Sequence, residues 1–307
     1  MLHEYAVEPQ AIGSSWERFR YVIEKFGFDR GRLISQFPKH WFREVYQAAE
    51  GLTPIEKKRI EEALNQAKKN KVVRSQRPYD PVAGDWLQNA LTEHARLPFR
   101  AIIAAQNSAG SAAVLLADEL NELLPLMTAP QDSAVARDAS SIATALQQLL
   151  WHGSRILFVD PFFDPYNAAY KSTLRECLAR VLAMNATATC EIHYRYHRDK
   201  PDNNDLEREA ARLFAGIIPA GMSVAIYCWR EKAGGADFHA RYLLTDKGGI
   251  GIDAGFSADG AHQTTDMHLM SYDLSQQRLA SFARTATDYD LVAPIITVCA
   301  NGRVTRL

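Results

Sequence analysis

The chain has 307 residues, of which 47% are hydrophobic and 23% are charged, and its 35 basic side chains nearly balance 36 acidic ones. This composition is typical of a soluble globular protein and excludes a disordered, fibrous or membrane-embedded one. A net charge of −1 excludes a generally basic coat protein for nucleic acid, so any phosphate-binding surface must be local.

The N-terminus and the cysteines indicate the compartment. The first residues lack the basic stretch followed by an apolar run that is typical of a signal peptide. The apolar stretches of the chain are too short to span a membrane. The four cysteines lie far apart, without a C-x-x-C pair. We therefore predict no signal peptide, no association with a membrane, a cytoplasmic location and reduced cysteines in the core.

The first part of the chain, residues 1–130, is predicted to be a mainly helical domain. Apolar side chains recur at helical spacing in the segments 16–25 and 38–50. The residues of a capping box, Thr53-Pro54-Ile55-Glu56, with proline at the first helical position, predict a helix that runs to about residue 70. A further helix is predicted from residue 86, and the segment 99–105 is predicted to form a short strand.

The segment 57–77 is the most basic part of the chain, and two interpretations of it stay open. In the first, it forms a phosphate-binding surface that includes Lys68, Lys69, Lys71 and Arg74. In the second, the charges only decorate the outer side of an amphipathic helix, whose apolar residues face inward. The two interpretations differ in whether these side chains contact a ligand.

A domain boundary is predicted near residue 130, because the stretches 107–111 and 125–133 mix small and polar residues between periodic segments. Beyond it, helical segments alternate with largely apolar strands up to residue 229, and the chain then becomes rich in β-structure. This pattern predicts an α/β domain over residues 131–307. The strands are predicted at 156–159, 190–196, 223–229, 238–245, 249–254, 267–271 and 295–299, and the helices at 134–151, 168–182, 206–214 and 275–286.

The most informative stretch for chemistry is 237–259. His239, Arg241 and Asp246 stand at relative positions 0, 2 and 7. Residues two apart in a strand project from the same face, so His239 and Arg241 are expected to point together. An imidazole beside a fixed cation suits phosphate chemistry, because the cation orients the anionic oxygens and the imidazole attacks phosphorus or transfers a proton.

These residues resemble the phospholipase D superfamily, which is marked by H-x-K-x(4)-D followed by a glycine-serine element. The chain has His239, Arg241 and Asp246 in that spacing, with Gly255 and Ser257 downstream. The segment 155–165 also looks like the first strand of such domains. The resemblance covers residues 130–307, leaves the N-terminal part out, and implies a mixed β-sheet flanked by helices.

The chain departs from the family pattern in three places. Arg241 replaces the lysine, which keeps the charge but changes its geometry. Phe256 separates Gly255 from Ser257, and Asp259 stands where the family often has asparagine. The motif is therefore degenerate.

The resemblance implies a metal-independent and cofactor-independent phosphodiesterase. His239 would act as nucleophile or general acid/base, Arg241 would hold the phosphate and Asp246 would support the site, with Ser257 and Asp266 as weaker candidates for substrate binding. Active members combine two motifs, and this chain has one. Catalysis therefore implies a homodimer that brings two His239 side chains together across a twofold axis.

A second hypothesis stays open beside the enzyme, namely an inactive adaptor that binds nucleic acid, or a protein partner through the N-terminal domain. The basic segment favours nucleic acid over lipid as the ligand. The sequence leaves DNA, RNA and a small phosphodiester as alternative substrates. Standalone bacterial proteins of this kind are associated with defence or DNA processing.

Some residues also have a purely structural interpretation. Asp246, followed by two glycines after Lys247, is also typical of a hairpin turn. Asp160 and Asp164 either cap the following helix, which we favour, or line a crevice at the ends of the strands. The remaining candidates for metal ligands fit no compact motif, so no metal site is predicted; they are His193, His197, His262, Asp266 and His268.

Overall fold

A computed structural model describes residues 1–198 and 202–307 of the chain. The chain divides into two compact units, Met1–Gln131 and Asp132–Leu307. Both units combine helices with a β-sheet, so the fold class is α/β. Within the described residues, none of the helices has the length and apolar character needed to cross a bilayer.

The N-terminal unit is built around a five-stranded parallel sheet in the order β3-β2-β1-β4-β5. Its strands are His3–Val7 (β1), Arg32–Ser35 (β2), Val72–Val73 (β3), Ile102–Ala104 (β4) and Val114–Leu116 (β5). Its helices are Pro9–Gly13 (α1), Trp16–Lys25 (α2), Trp41–Ala48 (α3), Pro54–Asn70 (α4) and Trp86–Arg96 (α5), with a short 3-10 helix at Phe28–Arg30.

Helices make up most of the regular structure of this unit, as predicted, but they surround a five-stranded sheet. Only one of its strands, β4, was predicted from the sequence. The capping box of α4 is present, because Thr53 Oγ1 accepts a hydrogen bond from the Glu56 amide and Glu56 accepts one from the Thr53 amide. The strands have two to five residues and lie in a sheet covered by helices. Such short, buried strands carry no alternation of polar and apolar residues, which explains why the pattern did not reveal them.

The C-terminal unit contains a nine-stranded mixed sheet in the order β14-β13-β9-β8-β7-β10-β11-β12-β6. Strands β7, β8 and β9 are parallel, and the other pairings are antiparallel. The strands are Asp132–Arg137 (β6), Arg155–Val159 (β7), Thr189–Arg195 (β8), Ser223–Arg230 (β9), Tyr242–Thr245 (β10), Gly249–Ile252 (β11), Gly260–Leu269 (β12), Asp290–Cys299 (β13) and Val304–Arg306 (β14). The helices are Ala139–His152 (α6), Ala168–Asn185 (α7), Asn203–Leu213 (α8) and Tyr272–Ser281 (α9).

The predicted helices and strands of this unit are present in the predicted order, but the two edge strands of the sheet, β6 and β14, were not predicted, and the ends of several elements differ. The helix predicted from residue 134 begins at Ala139, because 132–137 form the edge strand β6. The strand predicted over 238–245 begins at Tyr242, and 238–241 are irregular. All four cysteines are free; three are buried and Cys299 is partly exposed.

A buried polar network joins β7, β8 and β9 in the core. Arg155 donates two hydrogen bonds to Glu191, of 2.7 and 2.8 Å. The Glu191 Oε2 atom, which accepts one of these bonds, also lies 3.0 Å from His193 Nε2, and Trp229 Nε1 donates to His193 Nδ1 over 3.0 Å. His193 is fully buried and stacks on Tyr227 with ring centroids 4.6 Å apart. The network satisfies the polar groups of three adjacent strands, so the role of His193 is structural.

Candidate functional site

The candidate site lies at one edge of the nine-stranded sheet. The parallel strands β7, β8 and β9 end there, at Val159, Arg195 and Arg230. Strand β10 is antiparallel to β7 and begins at the same edge, with Tyr242 paired to Val159. At this edge, the segments that follow β7, β8 and β9 therefore meet the segment that precedes β10. Ligand sites in α/β sheets typically lie at such an edge.

His239 lies in the irregular segment before β10 and is exposed. Its ring centroid is 6.4 Å from that of Phe162, which follows β7 and is itself 37% exposed. Arg241 places its guanidinium carbon 4.8 Å from the centroid of the same phenyl ring. The structure thus brings His239 and Arg241 to one side chain, although the expected reason, alternation along a regular strand, applies only from Tyr242 onward.

Arg241 is held in place by the backbone. Its Nη1 donates a hydrogen bond of 2.7 Å to the carbonyl oxygen of Asp253, which follows β11. Its Cδ passes close to Gly255, where an added Cβ would be 3.2 Å away. This anchoring fixes the direction of the guanidinium, because one donor is used by the protein and the planar group cannot rotate freely about it.

Asp160 and Gly255 form a close contact under the site. Asp160 is buried, and its two carboxylate oxygens accept hydrogen bonds from the Phe162 amide (2.9 Å) and the Phe256 amide (3.0 Å). Gly255 has φ +73°, and a Cβ there would lie 2.2 Å from Asp160 Oδ2. Only glycine allows this approach without strain. The favoured interpretation, that Asp160 or Asp164 caps the following helix, is wrong, because Asn167 caps α7. Asp164 instead accepts a hydrogen bond from the Tyr166 amide in the turn before that helix.

Glu231, which follows β9, connects the site to β8. Its Oε1 accepts hydrogen bonds from the Phe238 amide (2.7 Å) and from Arg195 Nη1 (3.1 Å). The Phe238 amide, together with Arg195 and the nearby His239, lowers the pKa of Glu231 below its ordinary value. Arg195 also lies near Phe162, with its guanidinium carbon 5.4 Å from the ring centroid. Two guanidinium groups therefore contact one exposed phenyl ring.

A second group of side chains surrounds His239 itself. The ligand atoms of Glu231, Asp237 and His239 all lie within 4.8 Å of one another. Asp237 and His239 are exposed, and Glu231 is half-buried. The site therefore combines two cations at Phe162 with two carboxylates at the imidazole.

Asp246 lies at the opposite end of β10 from His239 and is not brought next to it. Its Oδ1 accepts hydrogen bonds from the amides of Ser154 (2.6 Å) and Arg155 (3.4 Å), at the start of β7. A four-residue strand, β10, separates the two motif residues. The described contacts of Asp246 are thus those of a residue that fixes the start of β7 against the turn after β10.

Ser257 and Asp266 have contacts of their own near the site. Ser257 is almost fully buried, and its hydroxyl donates to Asp259 over 3.1 Å. Arg137 forms an ion pair with Asp259 and also donates to the Ser257 carbonyl. Asp266 is exposed on β12, and its carbonyl accepts from the Asp253 amide, whose own carbonyl holds Arg241. Asp266 therefore connects to the site through the backbone of Asp253.

The basic side chains of the N-terminal unit fall into two groups. Lys71 is half-buried and donates to the carbonyls of Ile23 (2.7 Å) and Phe26 (2.9 Å), at the end of α2; burial lowers its pKa. Lys71 thus acts as a C-terminal cap, which removes it from the predicted phosphate-binding surface. Lys68 is exposed, with its ammonium 5.0 Å from the Phe42 ring centroid, and Lys69 and Arg74 are also exposed.

The sequence pattern identifies His239 and Arg241 but not the four residues around them. These are Phe162, Arg195, Glu231 and Asp237. Three of them lie at or just after the carboxyl end of a parallel strand, namely Phe162, Arg195 and Glu231. Since ligand sites form at such ends, the predicted ends of these strands could have identified the three residues. The proximity of Asp237 depends on the irregular path between β9 and β10, for which the sequence offers no rule.

Comparison with known proteins leaves the family open. No family model and no curated protein matches the chain. Among solved structures, a phosphatidylserine synthase from Haemophilus influenzae Rd KW20 is similar over 48% of this chain and 35% of its own length, with 15% identity and a TM-score of 0.34. The chain thus spans about a third of that protein. TrmBL2, an archaeal chromatin protein that binds DNA, is similar over 83% of this chain and 72% of its own, with 10% identity and a TM-score of 0.28. Likeness at this level establishes neither a family nor a function.

Proposed function

We propose that the C-terminal unit is a phospholipase D-like module that binds a phosphodiester of nucleic acid with Arg241 and His239. The observation that supports this proposal is the convergence of these two side chains on Phe162, at 4.8 and 6.4 Å. A guanidinium binds phosphate oxygens through paired N–H donors, and a neighbouring imidazole supplies a nucleophile or a proton. The H-x-R-x(4)-D spacing adds the family resemblance to this geometry.

The surroundings of Phe162 favour nucleic acid over lipid, and single strands over duplex. An exposed aromatic ring is a platform on which an unpaired base stacks, and the nearby Arg195 and Arg241 attract the phosphates on either side of that base. Lys68, Lys69 and Arg74 are exposed on the N-terminal unit, where they would form a phosphate-binding surface of that unit. Such a module fits a role in bacterial defence or DNA processing, where nucleic acid is the target.

In the catalytic form of the proposal, two chains pair about a twofold axis and bring two His239 side chains to one phosphodiester. One imidazole nitrogen attacks phosphorus, so that a P–N bond forms while the bond to the leaving oxygen breaks. The second imidazole, which is protonated, gives its proton to that oxygen. It then takes a proton from water, whose oxygen attacks phosphorus and breaks the P–N bond. The cycle consumes one water and needs no metal or redox partner.

The other motif residues would act at a distance from the phosphate. Asp246 would keep β10 and β7 in register through the amides of Ser154 and Arg155. Ser257 and Asp266 would support the segment that carries the Asp253 carbonyl, which holds Arg241. None of these three is proposed to touch the substrate.

The second candidate function is an adaptor that binds nucleic acid without cleaving it. Two observations favour it, the single motif and the carboxylates of Glu231 and Asp237 beside His239. Like charges at this distance repel a phosphate in the position that attack requires. In this form the N-terminal unit would recruit a protein partner.

The experiment that tests both candidates combines mass and cleavage on one sample. The solution mass is measured by light scattering, and the same protein is incubated in chelator with end-labelled single- and double-stranded DNA and RNA. His239→Ala is compared with the wild type, and His262→Ala, which alters an exposed histidine of β12, serves as the matched control.

The enzyme predicts a dimer that cleaves in chelator, with cleavage abolished by His239→Ala and retained by His262→Ala. Equal turnover in His239→Ala would overturn the mechanism. A monomer that binds single strands and never cleaves them identifies the adaptor. A protein that neither binds nor cleaves any of the four substrates refutes both.

A further inference from the structure

Glu231, Asp237 and His239 form a cluster with the chemistry of a metal site. They offer two carboxylates and one imidazole, and their ligand atoms lie within 4.8 Å of one another. Bonds of about 2.0–2.2 Å to a tetrahedral ion require ligand atoms roughly 3.4 Å apart. Asp237 and His239 are exposed. Because both side chains lie at the surface, their rotation can bring the ligand atoms closer together around an ion from solvent.

Glu231 provides the fixed ligand of this cluster. Both of its described hydrogen bonds, from the Phe238 amide and from Arg195, are accepted by Oε1. These bonds orient the carboxylate, and no hydrogen bond to Oε2 is found among the described residues. A carboxylate positioned by outer partners is the usual arrangement around protein-bound metals.

We propose that Glu231, Asp237 and His239 bind one divalent transition-metal ion of the Zn²⁺ class, and that this ion inhibits the phosphodiesterase. An imidazole with two carboxylates suits Zn²⁺ or Mn²⁺ better than Ca²⁺ or Mg²⁺, which prefer oxygen ligands. Three protein ligands leave a position for water. The binding of the ion is independent of the proposed function, and only its inhibitory effect rests on that function.

The inhibition follows from the chemistry of imidazole. A metal ion on one ring nitrogen leaves the proton on the other nitrogen, so neither has a lone pair with which to attack phosphorus. The same coordination prevents His239 from delivering or removing a proton. An ion at this cluster therefore blocks both roles that the proposed function gives to His239.

Binding is tested directly on the full-length protein with Zn²⁺ by calorimetry and with Co²⁺ by visible absorption. Asp237→Asn and His239→Ala each remove one ligand. The chain offers a matched control pair, because Asp266 and His268 repeat the D-x-H spacing and are exposed on β12, outside the cluster. Loss of even an outer partner lowers metal affinity about 10- to 100-fold, so loss of a ligand should lower it at least about tenfold.

We expect one Zn²⁺ per chain, weakened at least about tenfold by Asp237→Asn and by His239→Ala and unchanged by Asp266→Asn and His268→Ala. Equal affinity in all variants, or equal loss in both pairs, would overturn the site. In the cleavage assay, Zn²⁺ should inhibit the wild type, and chelator should reverse this inhibition. Inhibition of Asp237→Asn should require a Zn²⁺ concentration at least about tenfold higher. Zn²⁺ binding without cleavage in chelator refutes the proposed enzyme and leaves the metal site standing, whereas cleavage that persists with Zn²⁺ bound refutes the inhibition.

Discussion

The buried imidazole of His193 makes the stability of the C-terminal unit depend on pH near neutrality. Its Nδ1 accepts the Trp229 N–H and its Nε2 faces Glu191, so the ring is neutral with the proton on Nε2. Protonation of Nδ1 would break the bond to Trp229 and place a charge in the core. Burial lowers the pKa of His193, and the hydrogen bond to Glu191 opposes that effect in part.

The sign of the pH effect follows from proton uptake. As the pH falls through the ordinary pKa of 6.5, the unfolded chain takes up a proton at His193 before the folded chain does, because burial lowers the pKa of the folded group. Lower pH therefore favours unfolding, and the stabilisation is fully present above pH 6.5. Since the two states differ by at most one proton at this group, its effect on the free energy of unfolding is limited to about 1.4 kcal/mol per pH unit below 6.5.

Glu191 contributes in a lower pH range. Burial alone would raise its pKa, but the hydrogen bonds from Arg155 and His193 outweigh burial and lower the pKa to about 2. A depressed carboxyl pKa stabilises the fold above its ordinary value of 4.5, and the effect is lost as the pH falls toward 2. The contributions of His193 and Glu191 are therefore separated, and the range above pH 4.5 reports on His193.

The assay is urea unfolding at several pH values for the wild type and His193→Gln. The transition of the C-terminal unit is identified by the loss of hydrogen-exchange protection in β8 and β9. Glutamine still donates to Glu191 but has no titratable ring, so the variant should be less stable at neutral pH and lack the loss of stability that the wild type shows below pH 6.5. His262→Gln, an exposed histidine, controls for the substitution. Parallel pH profiles for the wild type and His193→Gln would refute the neutral, buried imidazole.

Three further predictions test the contacts around the site and the basic segment. Gly255→Ala should lower the free energy of unfolding, measured with urea, by at least about 1 kcal/mol more than Gly234→Ala does. Both glycines have φ +73°, but only at Gly255 would the added Cβ lie against Asp160. Equal losses in the two variants would contradict this packing. Asp246→Ala should cost about 1–3 kcal/mol by removing the acceptor for Ser154 and Arg155, and leave the affinity for single-stranded DNA unchanged; a parallel loss of affinity would place Asp246 at the ligand. Lys71→Met should lower the melting temperature without changing the slope of log K against log salt concentration for binding of single-stranded DNA. Arg74→Gln should reduce that slope by about 0.7. The reverse pattern would place Lys71 on the binding surface.

The motif predicted that His239 and Arg241 lie together, but for a reason that holds only in part. Spacing alone brought His239 and Arg241 together in a strand, and the structure instead joins them through Phe162, since the strand begins at Tyr242. The same spacing assigned Asp246 to the site, although the length of β10 carries it to the other end. The linear motif therefore identified the segment that carries the candidate site, but not which of its residues lie at the same edge of the sheet.

The remaining neighbours depend on strand pairing, which the sequence does not encode locally. Arg195 reaches Phe162 because β8 pairs with β7 in parallel, and Glu231 reaches Arg195 because β9 pairs with β8. The N-terminal sheet escaped prediction for a related reason. Strands as short as Val72–Val73 are defined by their partners more than by their own pattern.

The edge of the sheet holds opposite charges side by side, and this balance connects the two proposals. A phosphate placed at Arg241 is attracted by two guanidinium groups, whereas a phosphate moved toward His239 meets the carboxylates of Glu231 and Asp237. The same carboxylates attract a metal cation. A bound metal ion and a phosphate substrate therefore exclude each other for two reasons. The ion uses the lone pair of His239 that attack on phosphorus requires, and the carboxylates that attract the ion repel the phosphate. Attack on phosphorus becomes favourable only when a further positive charge offsets those carboxylates, and in the proposed dimer the protonated imidazole of the second chain supplies it.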